Sequence, residues 1–433
     1  MLLRVLFIIA LSTPFSLAPI PAFAQSQQVN IAIIEERSGD VLKLFSQEID
    51  PEEVFASSFL VAVPAASFSA LSAQISTQVG APVSVENIQQ FGPFKASFDL
   101  VFERGIGRIE MDLEPAQPHR ITGLLIRQID PIDDSFTKIA TELRALPGDV
   151  SAYFGPLVEG SPALAINTDD QLAIGSTFKL YVLAALARDV ADGRRQWDDL
   201  TTLTQRSFPS GMMQDWPPDA PVTLQTLASL MISISDNTAT DQVMHELGRE
   251  PITQTLEQSG HSNLAMAQPF LTTREMFALK GGPAETLGAY RRPSTLAQRA
   301  EFLDQLDTSA LSAAQIEAAF SGNPVALDVE WFASANDLRR LIIYMRDHAD
   351  PLAFDILGIN PSLPQNLRSK WRYAGYKGGS EPGVLNLTWV LANHAGDPYF
   401  LTLSWNNPDA PLEPGALEAL AHRILALPLP PES

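Results

Sequence analysis

Residues 163–193, ALAINTDDQLAIGSTFKLYVLAALARDVADG, decide the architecture of most of this 433-residue chain. The stretch opens on a short apolar segment of strand character at 163–167. It then enters an apolar run that begins at Ser176, continues without a breaker to Val190 and stops at Gly193. A run of that length ending on glycine predicts a buried helix. Ser176 and Lys179 stand three residues apart at its start, so both belong to one helix face.

Working outward, a second strand is expected at 150–157 and a helix at about 133–146, where Asp133-Asp134 after Asp130-Pro131 marks a helix start. Downstream, a proline-rich loop runs from Pro209 to Pro221 and carries Met212, Met213 and Trp216. Helices follow at 223–234 and from Ser235 through Leu247, then mixed helix and loop over 250–370. The chain closes with strands near 371–377, 385–393 and 399–405 and a helix at 414–427. Helices at both ends of a split set of strands predict one α/β or α+β domain of about 300 residues. Upstream, 41–90 reads as a helical segment ending near Gly80-Ala81-Pro82, and alternating stretches at 96–104, 106–113 and 121–128 read as strands. The expected division is 1–24 signal peptide, 25–129 small α+β accessory domain, and 130–428 larger domain.

Composition narrows the chemistry. The chain is 45% hydrophobic, long enough for sizeable cores, and carries 29 basic against 50 acidic residues for a net charge of −21. Such a surface repels phosphate backbones and anionic lipids, so nucleic acid is not an expected partner. With no cysteine, disulfide scaffolds, thiol nucleophiles and thiolate metal sites are excluded. The six histidines are scattered, His245-Glu246 does not extend to a zinc-protease motif, and no G-x-S-x-G elbow exists, so neither a metal nor a cofactor is expected. At the N-terminus, Arg4, an interrupted apolar stretch at 5–18 and Ala22-Phe23-Ala24 form a secretory signal with cleavage after Ala24. The apolar run is too short for a membrane span, so the expected location is periplasmic or secreted.

Three short signals occur in order: Ser176-Thr177-Phe178-Lys179, Ser235-Asp236-Asn237 and Lys377-Gly378-Gly379. They lie 59 and 142 residues apart. A neutral Lys179 one turn from Ser176 is placed to take the hydroxyl proton, provided that burial, the helix N-terminus and Lys377 lower its affinity for a proton. Ser235 then relays a proton to the leaving group, and Lys377 supplies charge that tunes Ser235 and holds an anionic substrate group. Each signal alone is weak, because Ser135-Phe136-Thr137-Lys138 and Lys280-Gly281-Gly282 repeat two of them. Ser135 reads as a helix cap and Lys280 runs towards Pro283 and a loop, whereas Ser176 opens an apolar helix and Lys377 ends an aromatic strand.

Together the signals resemble the serine β-lactamase-like family, the penicillin-recognising hydrolases, over about residues 133–428. The resemblance implies a β-lactamase/transpeptidase-like α+β domain, an antiparallel sheet flanked by helices. It makes Ser176 the acyl-forming nucleophile, Lys179 its general base, Ser235 the proton shuttle and Lys377 the substrate-anchoring cation. Asn237 would hold Lys179 and a substrate amide, with Asp236 structural. Gly379 and Ser380 would bind substrate, the amides of Ser176 and Ser380 forming the oxyanion hole.

Two positions depart from the family pattern. Gly378 stands where a hydroxyl residue is usual, with Ser380 as a possible substitute. No E-x-x-L-N follows the second signal, and Glu275, 40 residues after Ser235, reads as a surface or helix residue. An acyl-enzyme would therefore hydrolyse slowly. The two-domain plan resembles the serine hydrolases of clavulanic acid biosynthesis, whose first domain is similar to the steroid-isomerase (NTF2-like) fold, with 94–128 the stretch to compare. There Lys95 is a candidate for reaching the cleft, against the reading of a solvated strand-end lysine. The function implied is an exported serine hydrolase of esters, β-lactams or related amides, weak or atypical, acting on a small-molecule or peptidoglycan-derived substrate. The alternatives are a D,D-peptidase and a hydrolytically silent penicillin-binding or peptidoglycan-sensing protein.

Overall fold

A computed structural model describes residues 31–132, 134–292, 295–309 and 312–429. The signal-peptide stretch 1–24 and Asp133 lie outside the described residues. The chain divides into two compact units between Asp134 and Ser135.

The first unit consists of four helices, α1 (Ile31–Phe45), α2 (Pro51–Val54), α3 (Ser57–Ala62) and α4 (Ala65–Val79), followed by four strands, β1 (Pro82–Gly92), β2 (Lys95–Phe102), β3 (Gly105–Leu113) and β4 (Ile121–Pro131). The strands pair in sequence order as an antiparallel meander. Alternation in β2 turns Ala96, Phe98, Leu100 and Phe102 onto the helices, where Phe102 meets Phe45 edge-on at 5.8 Å. The single helical segment expected over 41–90 is corrected here. Pro51 and Pro64 each restart a helix, Gly80 ends the last one at a φ of +86°, and 82–92 is a strand. That strand is largely exposed and its register slips at three places, so its sequence carries no clean period of two. Lys95 forms an exposed ion pair with Asp112 on the neighbouring strand at 2.9 Å.

The second unit begins with α5 (Phe136–Ala145), β5 (Asp149–Pro156), β6 (Leu164–Ile166) and β7 (Leu172–Ala173). A 3-10 turn at Gly175–Phe178 leads into α6 (Lys179–Ala191). Farther on come α7 (Leu224–Ser233) and α8 (Asn237–Leu247), then three long strands, Tyr373–Glu381, Val384–Ala392 and Pro398–Asn406, and a C-terminal helix, Pro414–Ala426. The three long strands, β5 and β6 form one five-stranded antiparallel sheet in that order, with the Tyr373–Glu381 strand at its edge.

Helices cover both faces of this sheet, which explains why the interior strand Val384–Ala392 is almost continuously buried rather than alternating. On one face α5 and the C-terminal helix close a core around Phe154, Trp389 and Leu401, joined by an ion pair between Arg423 and Glu142 at 2.9 Å. On the other, α6 is buried all round, Leu180 to Ala187 being no more than 1% exposed, as expected of a helix apolar on every side.

The turn that carries Ser176 is fastened by buried polar side chains. Thr177 donates to Asn386 on the strand Val384–Ala392 at 2.8 Å, and Asn386 in turn donates to Ser404 at 2.7 Å. Asn406 accepts from the Ala173 amide at 2.8 Å and donates to its carbonyl at 3.0 Å, so a side-chain amide holds β7 beside the sheet. Beneath the turn, Phe178 stacks on Trp331 with ring centres 3.7 Å apart, and neither ring reaches solvent appreciably. Replacing Phe178 by Ala is expected to cost about 3–5 kcal/mol in urea unfolding of this unit. A loss below about 1 kcal/mol contradicts this account of the packing.

Candidate active site

Ser176 sits half-buried in the 3-10 turn that precedes α6, and Lys179 is the first α-helical residue after it. An apolar helix fixed under the sheet leaves Lys179 no route to water, and the residue is fully buried. Its Nζ lies 2.7 Å from the Ser235 carbonyl, 3.0 Å from Ser235 Oγ and 2.7 Å from Asn237 Oδ1. Burial, followed by the positive charge of Lys377, pushes its pKa well below the ordinary lysine value, with Asp241 and Asp236 opposing only in part.

Ser235 occupies the short link between α7 and α8 at a φ of +59°, the left-handed region that non-glycine residues rarely adopt. Its carbonyl accepts from Lys179 and from Ser210 Oγ at 2.9 Å, contacts that hold this conformation. Asp236 caps α8 by accepting from the Ala239 amide at 2.8 Å, and its other oxygen accepts from the amides of Met212 and Met213 at 2.7 and 2.9 Å. It thus pins the proline-rich loop, and its role is structural. Met213 is buried and Met212 half-exposed, while Pro209 and Ser210 are the loop residues that line the cleft.

The edge strand brings Lys377 to the same place. Its Nζ donates to Ser235 Oγ at 3.0 Å and also contacts the Gly378 carbonyl. Burial lowers its pKa to about 7. Gly379 lies against the Ser176 turn so closely that a Cβ there would overlap the Ile174 carbonyl and the Ser176 amide and stand 2.6 Å from the Thr177 amide. Ser380 follows, exposed at the cleft's edge. The cavity so formed has a volume of about 590 Å³ and is lined by Ser176, Ser235, Asn237, Lys377, Gly379 and Ser380 among others. Every expected site residue therefore lines this cleft or, in the case of Lys179, is hydrogen-bonded to residues that do.

The duplicate signals are separated as well. Ser135 Oγ caps α5, accepting from the Lys138 amide at 3.2 Å. Lys280 is buried in the helix Thr273–Gly281, 2.7 Å from Glu330 and in contact with Glu381. Burial and then the neighbouring Glu330 raise the Glu381 pKa to about 9, although Lys280 opposes this. Sequence reading did not find this buried trio, whose members lie 50 and 101 residues apart with no local motif.

Glu275 closes a capping box with Thr272 and pairs with Arg249 at 2.7 Å, beside a different cavity. Its segment instead presents Thr273, Met276 and Phe277 to the cleft. Asp241 sets that arrangement. Fully buried, it accepts from the Thr273 amide at 2.8 Å, from Thr273 Oγ1 at 2.6 Å and from Ser207 Oγ at 2.6 Å. Among the described residues no cluster of His, Asp and Glu is placed to hold a metal ion, and no helix is long and apolar enough to cross a membrane.

Comparison with known proteins points towards one family. Residues 134–322 match the model described as the beta-lactamase enzyme family. None of the curated proteins compared matches the chain. Among solved structures, a beta-lactamase from Sphaerobacter thermophilus is 20% identical over 67% of this chain and 95% of its own, with a TM-score of 0.47. A structure of PBP-A is 19% identical, covering 67% and 92% with a TM-score of 0.45, and a beta-lactamase from Francisella tularensis is 13% identical, covering 67% and 96% with a TM-score of 0.47. The family match falls within the unit that carries the helix-flanked antiparallel sheet and supports a serine β-lactamase-like family for that unit.

Proposed function

We propose that the second unit is a serine hydrolase that forms an acyl-enzyme at Ser176 with an ester, β-lactam or related amide. The observation that carries this reading is the desolvated Lys179 amine, one turn from Ser176 and enclosed by Ser235 and Asn237. A lysine made neutral by burial is a base near neutral pH. It takes the Ser176 hydroxyl proton as Oγ attacks the substrate carbonyl, and the amides of Ser176 and Ser380 receive the oxyanion. Collapse of the tetrahedral intermediate breaks the bond to the leaving group. Ser235 Oγ, between the two lysine amines at 3.0 Å from each, returns the proton to that group. Water then releases the acyl chain and regenerates Ser176.

The cleft face of the Thr273–Gly281 helix offers Thr273, Met276 and Phe277, with no carboxylate to activate that water. This favours slow deacylation, and with it a weak β-lactamase or esterase, or a D,D-peptidase or penicillin-binding protein that holds its acyl group. On the pattern of residues 1–24, export to the periplasm or medium belongs to the same proposal.

Intact-protein mass spectrometry after adding an uncharged p-nitrophenyl ester tests it. The wild-type protein is expected to gain one acyl mass that Ser176→Ala does not. Lys179→Met is expected to slow acylation by about 10²–10⁴-fold. Turnover that survives Ser176→Ala sinks the mechanism.

A second expectation follows from Lys377, whose pKa of about 7 in the folded protein lies below the unfolded value of about 10.4. Between those values the unfolded chain binds more protons, so this group's contribution to stability rises with pH across that window. Lys377→Met removes the penalty. Its gain in melting temperature, on the order of 5 °C, is expected at or below pH 7 and to fade towards pH 10. Thermal melts in which the gain grows with pH refute the assignment.

A further inference from the structure

On the edge strand, Tyr376 and Gly378 point to the same side, two residues apart. Gly378 has no side chain, and a Cβ built there would overlap the Tyr376 hydroxyl. The phenol thus occupies the volume that any residue other than glycine would take at 378. Its ring leans on Trp389 of the neighbouring strand, 4.7 Å between centres, so its position is set by packing. Burial, and then the negative charge of Glu418, hold the phenol well above its ordinary pKa against an opposing hydrogen bond with Ser362, so it remains neutral across the working pH range and keeps its proton to donate.

The same wall of the cleft continues through Leu387, Pro414 and Glu418, the last two on the C-terminal helix. Glu418 is half-buried and makes no ion pair among the described residues. No arginine is among the residues lining the cavity. The single lysine there, Lys377, is buried, with its amine engaged by Ser235 Oγ and the Gly378 carbonyl. A carboxylate placed against this wall would meet neutral hydroxyls, apolar carbon and one unpaired negative charge. Removing such an ion from water without a paired cation is strongly unfavourable.

We infer that the substrate carries no negative charge on the side that faces the Tyr376–Gly378 wall, and that Tyr376 and Ser380 hydrogen-bond an uncharged ester or amide group there. This inference rests on the acyl-enzyme reading above. It narrows the substrate class to neutral esters and amides, where the sequence pattern alone pointed to an anion held by Lys377.

The test uses two aryl esters of phenylacetylglycine, one with 3-hydroxybenzoate as leaving group and one with the uncharged 3-hydroxybenzamide. Each kcat/KM is divided by that ester's hydroxide-catalysed rate, to remove the difference in leaving ability. With the full-length protein, the benzamide ester is expected to be favoured at least tenfold. Glu418→Arg, which places a cation on the wall, is expected to narrow that ratio at least threefold. Equal rates, or a preference for the benzoate, overturn the inference while leaving acylation of Ser176 intact. A ratio that Glu418→Arg does not move also overturns it. If neither ester is hydrolysed in a manner that depends on Ser176, the hydrolase reading falls and the inference with it.

Discussion

An amine without water is the constraint on which the second unit turns. Lys179 lies at the head of a helix with no polar side, and its three contacts, two to Ser235 and one to Asn237, are the ones that replace solvent. Retaining a proton in that setting is costly, and Lys377 nearby adds to the cost. The neighbouring elements are arranged around this point. The link between α7 and α8 is held in a left-handed conformation so that both oxygens of Ser235 face the amine, and Asp236 secures the loop that closes over it. Position, protonation and loop closure are thus one problem with one solution.

The second unit was largely legible in the sequence because its strongest signals are local. The apolar run after Ser176, the strands at 149–156 and 164–166 and the terminal strands with their closing helix all follow from hydrophobic runs and breakers read along the chain. The three short motifs named residues that converge on one cleft, since each lies on a short turn that meets a helix or on the sheet's edge strand and keeps its side chains within a few residues of one another. In the first unit the alternating strands were legible, whereas the irregular edge strand 82–92 and the proline-broken helices were not.

Other residues stayed hidden because their roles depend on partners far along the chain. Asn386 and Asn406 look like ordinary strand polar residues, yet they fasten the Ser176 turn to the sheet from 209 and 233 residues away. Asp241 is one polar residue on a helix and reveals its part only when Ser207 and Thr273 are seen around it. Tyr376 is the same kind of case. In sequence it is an aromatic residue before a lysine, and in space it occupies the side-chain position of Gly378.

Gly379 sets a dimension of a different kind. Where the edge strand meets the Ser176 turn, the approach is backbone to backbone, with no side chain between Gly379 and the Ser176 and Thr177 amides. The gap across which a carbonyl would be held is therefore measured out by atoms that every amino acid shares. Residues on the surrounding walls are free to change in size and polarity without altering that gap. A site built this way separates its reactive geometry from its selectivity, so that new substrates are reached by repainting the walls around an unchanged frame.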